Sequence, residues 1–260
     1  MPQARIDVTL DGAVARVFLA RPGLRNAFDG ETVRELTTAM VAVSASEQVR
    51  VIVLGGQGPV FSSGADIEWM RAVAGYSLEQ NVDDARELAG LFFAIDRSPK
   101  PVVARVQGAA LGGGAGLVAA ADIAVAAADA RFGFSEVRLG LVPAVISPWV
   151  VRRIGLSAAR ELFLTGERFS AEEAARIGLV RHVVPPEQLD QAVEARVREL
   201  LYAAPGAIAA AKALLRTVEG RSPEDVCDAT TQLNAERRAS AEGQEGLRAF
   251  LDKRKAGWAP

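Results

Sequence analysis

Polar and apolar residues alternate from Arg5 to Leu10 and again from Ala13 to Leu19, with Asp11-Gly12 between them. That pattern predicts two strands joined as a hairpin. A loop follows at residues 21–27. Apolar positions at Val33, Leu36, Met40 and Val43 then recur at helical spacing, from a start at Asp29 or Gly30. Val49 to Leu54 reads as a strand, Gly55 to Gly58 as a turn, and residues 60–67 as the lead into a helix through Met70. A long amphipathic helix is predicted from Tyr76 to Ile95, carrying Leu88, Leu91 and Phe92 and stopping before Ser98-Pro99-Lys100-Pro101. Val102, Val103 and Val106 form a β-branched run into Gly108, and a loop ends in Gly112-Gly113-Gly114. A small-residue helix through Ala121 and a short strand from Ile123 to Ala127 complete this half.

From Leu156 onward the pattern is mostly helical: Ala158–Leu164, Ala171–Ile177 (capped by Ser170 and ended by Gly178), Pro186–Ala203, Gly206–Val218, Glu224–Ala239 and Gly243–Lys255. A boundary is expected near Ala204-Pro205-Gly206. It divides an α/β core, residues 1–204, from a helical region, residues 205–260.

The glycine triplet changes the picture. Glycine inside a helix costs about 1 kcal/mol, so three in a row imply a need for bare backbone. A packing turn would meet that need, and so would a ligand approached by exposed N–H groups at a helix start. A dinucleotide fingerprint starting at Gly112 would require glycine where Leu117 stands, and no Gly-Lys-Ser/Thr closes a phosphate loop. The Val51-to-Met70 stretch repeats the order of strand, glycine turn and helix. Two such units can aim two backbone N–H groups at one point, as an oxyanion hole requires.

The 260 residues include 30 Lys and Arg against 32 Asp and Glu, a net charge of −2, which offers no basic footprint for nucleic acid. One cysteine (Cys227) and one histidine (His182) provide no internal disulfide and no metal site. Residues 1–12 read as a strand rather than a signal peptide, and no run is long enough to span a membrane. A cytoplasmic enzyme or binding protein is expected. There is no G-x-S-x-G for a serine hydrolase.

FSSGADIEWM, VQGAALGGGAGLVAAADIAVA and FGFSEVRLGLVP together resemble motifs of the crotonase (enoyl-CoA hydratase/isomerase) superfamily, and the resemblance runs from about Arg5 to the end. It implies a ββα spiral core with a C-terminal helical region that builds trimers or hexamers. It also implies an acyl-CoA thioester substrate, with coenzyme A as part of the substrate and no prosthetic group. The matched oxyanion donors are the N–H groups of Ala65 and Gly113, and the matched catalytic acid is Glu136. Phe132, Phe134, Val137, Leu139 and Leu141 flank Glu136, so its carboxyl is expected to be partly desolvated and raised in pKa.

Two-glutamate hydratases carry their other acid where this chain has Gly116. One carboxylate suffices to move a proton between two carbons, so Gly116 favours an isomerase. The run SEVRLGL-PAVISP instead resembles hydratases of the methylglutaconyl-CoA type, in which glycine occupies this position. For coenzyme A the resemblance implies contacts at Leu24, Arg25, Ser63, Asp66 and Ile67, and at Phe250 and Lys253 from a neighbouring subunit. Trp69, Met70, Gly116 and Arg138 are candidates for the acyl pocket, Arg138 as partner of a distal carboxylate. Asp66 also reads as a helix cap and Asp122 as a buried carboxylate bonding backbone. The leading expectation is a hydratase acting on a branched or dicarboxylic enoyl-CoA. The alternatives are a Δ3,Δ2-enoyl-CoA isomerase using Glu136 alone, and a non-catalytic acyl-CoA-binding subunit.

Overall fold

The computed structural model describes residues 4–260. The hairpin forms as β1 (Ile6–Asp11) and β2 (Val14–Leu19), followed by α1 (Gly30–Ala45) and β3 (Val51–Gly56). Next come α2 (Ile67–Val73), α3 (Leu78–Asp96), β4 (Val102–Val106), β5 (Ala109–Leu111), α4 (Gly113–Ala120) and β6 (Ile123–Ala127). The chain continues through β7 (Arg131–Gly133), α5 (Ser147–Thr165), β8 (Arg168–Ser170), α6 (Ala171–Arg176) and β9 (His182–Val184). It ends in four helices: α7 (Leu189–Tyr202), α8 (Pro205–Val218), α9 (Pro223–Ala239) and α10 (Ala241–Leu251).

Six strands form one sheet in the order β1-β2-β3-β4-β6-β9, antiparallel only at the β1–β2 hairpin. The central strands are largely apolar because both faces are covered, with Arg16 and Arg105 as exceptions paired to Glu194 and Asp190 of α7. Val51, Val53, Val103 and Val125 meet Leu189, Val193 and Val197 of α7 on one face. Ile52, Leu54 and Ala104 enter the main core with Leu36, Leu91, Phe92 and Leu117 on the other. The period-two alternation of strand side chains thus sorts one strand into two cores. β5, β7 and β8 make a second, three-stranded sheet. This is the α/β core with appended helices expected from the sequence.

Three local expectations are corrected. Gly55-Gly56 ends β3 and is not the turn: a Cβ on Gly55 would lie 2.8 Å from the Phe18 ring, so glycine serves close strand packing there. α5 starts well before Ala158, and Gly155, at φ 75° and ψ 161°, breaks it into two helical pieces. β5, β7 and β8 were not expected, being only three residues each and paired across long stretches of chain.

The helical region is tied to the core by buried charge. Lys212 of α8 donates to Asp122 Oδ2 at 2.6 Å and to the Lys100 carbonyl at 2.9 Å, while Asp122 also accepts from the Val102 N–H. Lys212→Ala would leave Asp122 without its main cation. Breaking a buried pair from one side typically costs about 3–5 kcal/mol. A clear fall in melting temperature is expected, with hydrogen exchange fastest in residues 205–260. An unchanged melting curve would contradict this. A second tie uses Arg50, which donates to the carbonyls of Leu201, Ala203 and Trp258, while Trp258 Nε1 donates to the Tyr202 carbonyl. No helix among the described residues is long and apolar enough to cross a membrane.

Candidate active site

The site lies where the parallel strands β3 and β4 end, the place an open α/β sheet offers to ligands. Phe28 organises the first turn. Its N–H donates to the Gly64 carbonyl and its carbonyl accepts from the Asp66 N–H, a parallel bridge to Ala65 that leaves the Ala65 N–H pointing away. Asn26, buried at φ 53°, holds the approach: Oδ1 accepts from the Arg21 N–H, and Nδ2 donates to the Gln57 and Val60 carbonyls.

The second turn is built against the first. Ser62 bridges Ala110, and a Cβ on Gly64 would lie 2.8 Å from the Leu111 carbonyl oxygen. Gly112, at φ 50°, starts α4 in a conformation that favours glycine. A Cβ on Gly113 would fall 2.4 Å from the Phe28 ring. One aromatic residue therefore bridges the Ala65 turn with its backbone and supports the Gly113 turn with its ring. Among the described residues, neither the Ala65 nor the Gly113 N–H donates to a protein acceptor. The triplet exists for close approach.

Glu136 arrives from the small sheet. Phe132 and Phe134 are buried against Phe169 and Phe163, and the Gly112 N–H donates to the Gly133 carbonyl. That pairing sets the short helical turn Glu136–Leu139 beside α4, and a Cβ on Gly112 would lie 3.2 Å from Glu136 Oε1. Glu136 Oε2 is buried without a hydrogen-bond partner among the described residues. Burial pushes the carboxyl above its ordinary range, and its own backbone N–H opposes this more weakly.

The space next to Gly116 is filled. A Cβ there would lie 2.5 Å from Ile146 Cγ2 and 3.0 Å from Phe92, and Phe92 packs on Trp149 at 5.2 Å between ring centroids. Gly116 is therefore a packing position in this chain, with no room for an acid. Gly116→Glu is expected to destabilise the fold by about 1–3 kcal/mol or more, with no gain on a simple enoyl-CoA. Adding Ile146→Ala should recover part of the melting temperature. A stable, more active single variant would refute this account.

The structure clusters Leu24, Arg25, Ser63, Asp66 and Ile67: the Ser63 N–H donates to the Arg25 carbonyl, and Leu24 shares a cleft of about 410 Å³ with Arg21, Asp66 and Trp69. Asp66 caps α2 by accepting from the Glu68 N–H, as expected. Ile67 and Arg25 are exposed, whereas Trp69 and Met70 are half-buried. Trp69 and Asp84 line the same cleft, and the Asp84 carboxyl is raised by burial and by nearby Glu87. Phe250 is 81% exposed on α10, and Lys253 follows at φ 54°. Arg138 is exposed, and its Nε donates to the Thr165 carbonyl at the end of α5. Asn26, Phe28, Arg21 and Ile146 were not singled out from the sequence as functional.

The enoyl-CoA hydratase/isomerase family model matches residues 9–260. A Thermus thermophilus protein named "Putative enoyl-CoA hydratase" is 38% identical over 243 residues, covering 94% of this chain and 96% of its own. A crystal structure of an enoyl-CoA hydratase from Shewanella pealeana superposes with a TM-score of 0.95 at 41% identity, covering 98% of this chain and 96% of that one. A Legionella pneumophila structure described as a "putative enoyl CoA hydratase/isomerase (crotonase)" gives a TM-score of 0.93 at 42% identity, with 98% of each chain covered.

Proposed function

The chain belongs to the enoyl-CoA hydratase/isomerase family, and on that premise we propose that it adds water across the 2,3-double bond of an acyl-CoA thioester, using Glu136 as its single acid and base. The observation that carries the reading is the position of the Glu136 carboxylate, against Gly112 and next to two turns with unpartnered N–H groups. The Ala65 and Gly113 N–H groups take the thioester oxygen and stabilise the enolate as water attacks the β-carbon. Glu136 accepts a proton from that water and delivers one to the α-carbon, leaving hydroxyl and hydrogen added and the carboxylate regenerated. A raised carboxyl pKa suits this exchange near neutral pH.

Of the two acyl classes expected, the branched one is better supported. Arg138 spends its Nε on the Thr165 carbonyl, and the side chains beyond Gly116 are Ile146 and Phe92, with Trp149 packed on Phe92. Coenzyme A is assigned to Leu24, Arg25, Ser63, Asp66 and Ile67, with Phe250 and Lys253 reaching it from a second copy in a homotrimer or homohexamer. Exposed Leu247, Phe250 and Leu251 on α10 support that assembly. A cytoplasmic setting fits the one free cysteine, Cys227.

The filled space at Gly116 favours the isomerase as second reading, because one carboxylate is enough to move a proton. A panel of 2-enoyl- and 3-enoyl-CoA thioesters followed by mass spectrometry separates them: hydration adds the mass of one water, isomerisation adds none. Turnover of 3-enoyl substrates without hydration would install the isomerase. No turnover of either series would leave the non-catalytic subunit.

A further inference from the structure

Arg21 stands at the junction of two helix starts. Its Nη1 donates to the Ala27 carbonyl at 2.8 Å and lies 3.2 Å from Asp29 Oδ2, while its Nη2 lies 3.0 Å from Asp66 Oδ2. The two aspartates are the N-caps of α1 and α2. Each spends its Oδ1 on its own helix, Asp29 accepting from the Thr32 N–H and Asp66 from the Glu68 N–H. Each therefore has Oδ2 left for the same guanidinium. The bridge is mostly buried, with the Arg21 and Asp66 side chains 15% and 10% exposed. Arg5 closes it from outside, donating to Asp29 at 2.8 Å and pairing with Glu31.

α2 has seven residues, too few to hold its own shape in water. Its direction is set by what grips its first turn, and Ala65 immediately precedes that grip. Phe28 holds the backbone on both sides of Ala65, through the Gly64 carbonyl and the Asp66 N–H, and Arg21 holds the Asp66 side chain that caps α2. We infer that Arg21, by joining the N-cap carboxylates of α1 and α2, is the positioning residue for the Ala65 N–H. This rests on the reading of Ala65 as a thioester donor. A planar fork presents two separate nitrogens, Nη1 to Asp29 and the Ala27 carbonyl and Nη2 to Asp66, whereas the three donors of a lysine ammonium all radiate from one nitrogen.

Arg21→Lys and Arg21→Ala are the variants, assayed well below their melting temperatures with the best substrate of the native chain. Misplacing a catalytic group by about 1 Å can cost 10²-fold, so kcat is expected to fall roughly 10- to 10²-fold in both, with KM within about threefold. Free guanidinium at millimolar concentration should restore part of the loss in Arg21→Ala. The carbonyl stretch of bound butyryl-CoA should shift to lower frequency in the native chain and shift less in Arg21→Lys. Should Arg21→Ala fail to fold, Arg21→Lys with the infrared measurement decides alone. Native-like kcat and carbonyl shift in Arg21→Lys would overturn the inference. A native chain that binds butyryl-CoA with no carbonyl shift would overturn the thioester reading instead, and so separates the two failures.

Discussion

Replacing Glu136 by glutamine is expected to cut the rate of hydration by roughly 10²–10⁴, the range typical of a lost acid–base group. The shape is kept and the turns that hold the thioester are untouched, so the fall belongs to kcat and affinity for the thioester stays near native. A second readout has the opposite sign. Burial raises the Glu136 carboxyl above its ordinary value. The protonated form is therefore favoured in the fold, and this contribution to stability is lost as pH rises through the raised value. Above that pH the native chain carries a partly buried charge with an orphaned Oε2. Glu136→Gln should then melt at a higher temperature than the native chain, and the gap should close as pH falls toward about 4.3, the ordinary value for glutamate. Full hydration by the variant would remove Glu136 from the mechanism. A melting gap that widens on acidification would remove the burial argument.

Ala65→Pro is expected to lower kcat roughly 10²- to 10³-fold, the usual result of deleting one oxyanion donor. Proline is informative here because of how Phe28 is bonded. The bridge uses the Gly64 carbonyl and the Asp66 N–H, and the Ala65 N–H takes no part in it. Proline at 65 therefore removes a donor that the fold does not use. Circular dichroism should show a native-like spectrum, with the melting temperature far less affected than turnover. Unimpaired turnover in a folded Ala65→Pro chain would mean that the thioester oxygen sits elsewhere. The matching change at Gly113 is less clean, since any Cβ there collides with Phe28.

Most of the elements were legible in the sequence because their patterns are local. The hairpin at Asp11-Gly12, the apolar run into β3, the amphipathic α3 and the Ser170 cap of α6 each carry a signal within a few residues. The small sheet left no such trace, because three-residue strands are defined by partners far along the chain. Gly55 and Gly56 show the limit of reading glycine as a turn: the Phe18 ring and the Asn26 amide need that space, and neither is adjacent in sequence. The same limit applies at Gly116, where the missing acid was visible but its replacement by Ile146 was not. Arg21 was hidden because its value lies in spanning Asp29 and Asp66. Only Asn26 carried a usable hint, since asparagine tolerates the left-handed backbone that its loop adopts.

The carbonyls gathered by Arg50 have a consequence for the order in which the chain is made. Arg50 leads into β3, yet its acceptors belong to Leu201, Ala203 and Trp258, the last 208 positions later. During synthesis the parallel strands emerge first, and the start of β3 then carries a guanidinium without its carbonyl acceptors until residues up to 258 have left the ribosome. Closing so long a loop is slow, and domains with such distant contacts spend longer in partly exposed states. The nascent core is thus expected to remain open at β3, and to depend on chaperones there, until its last helices arrive.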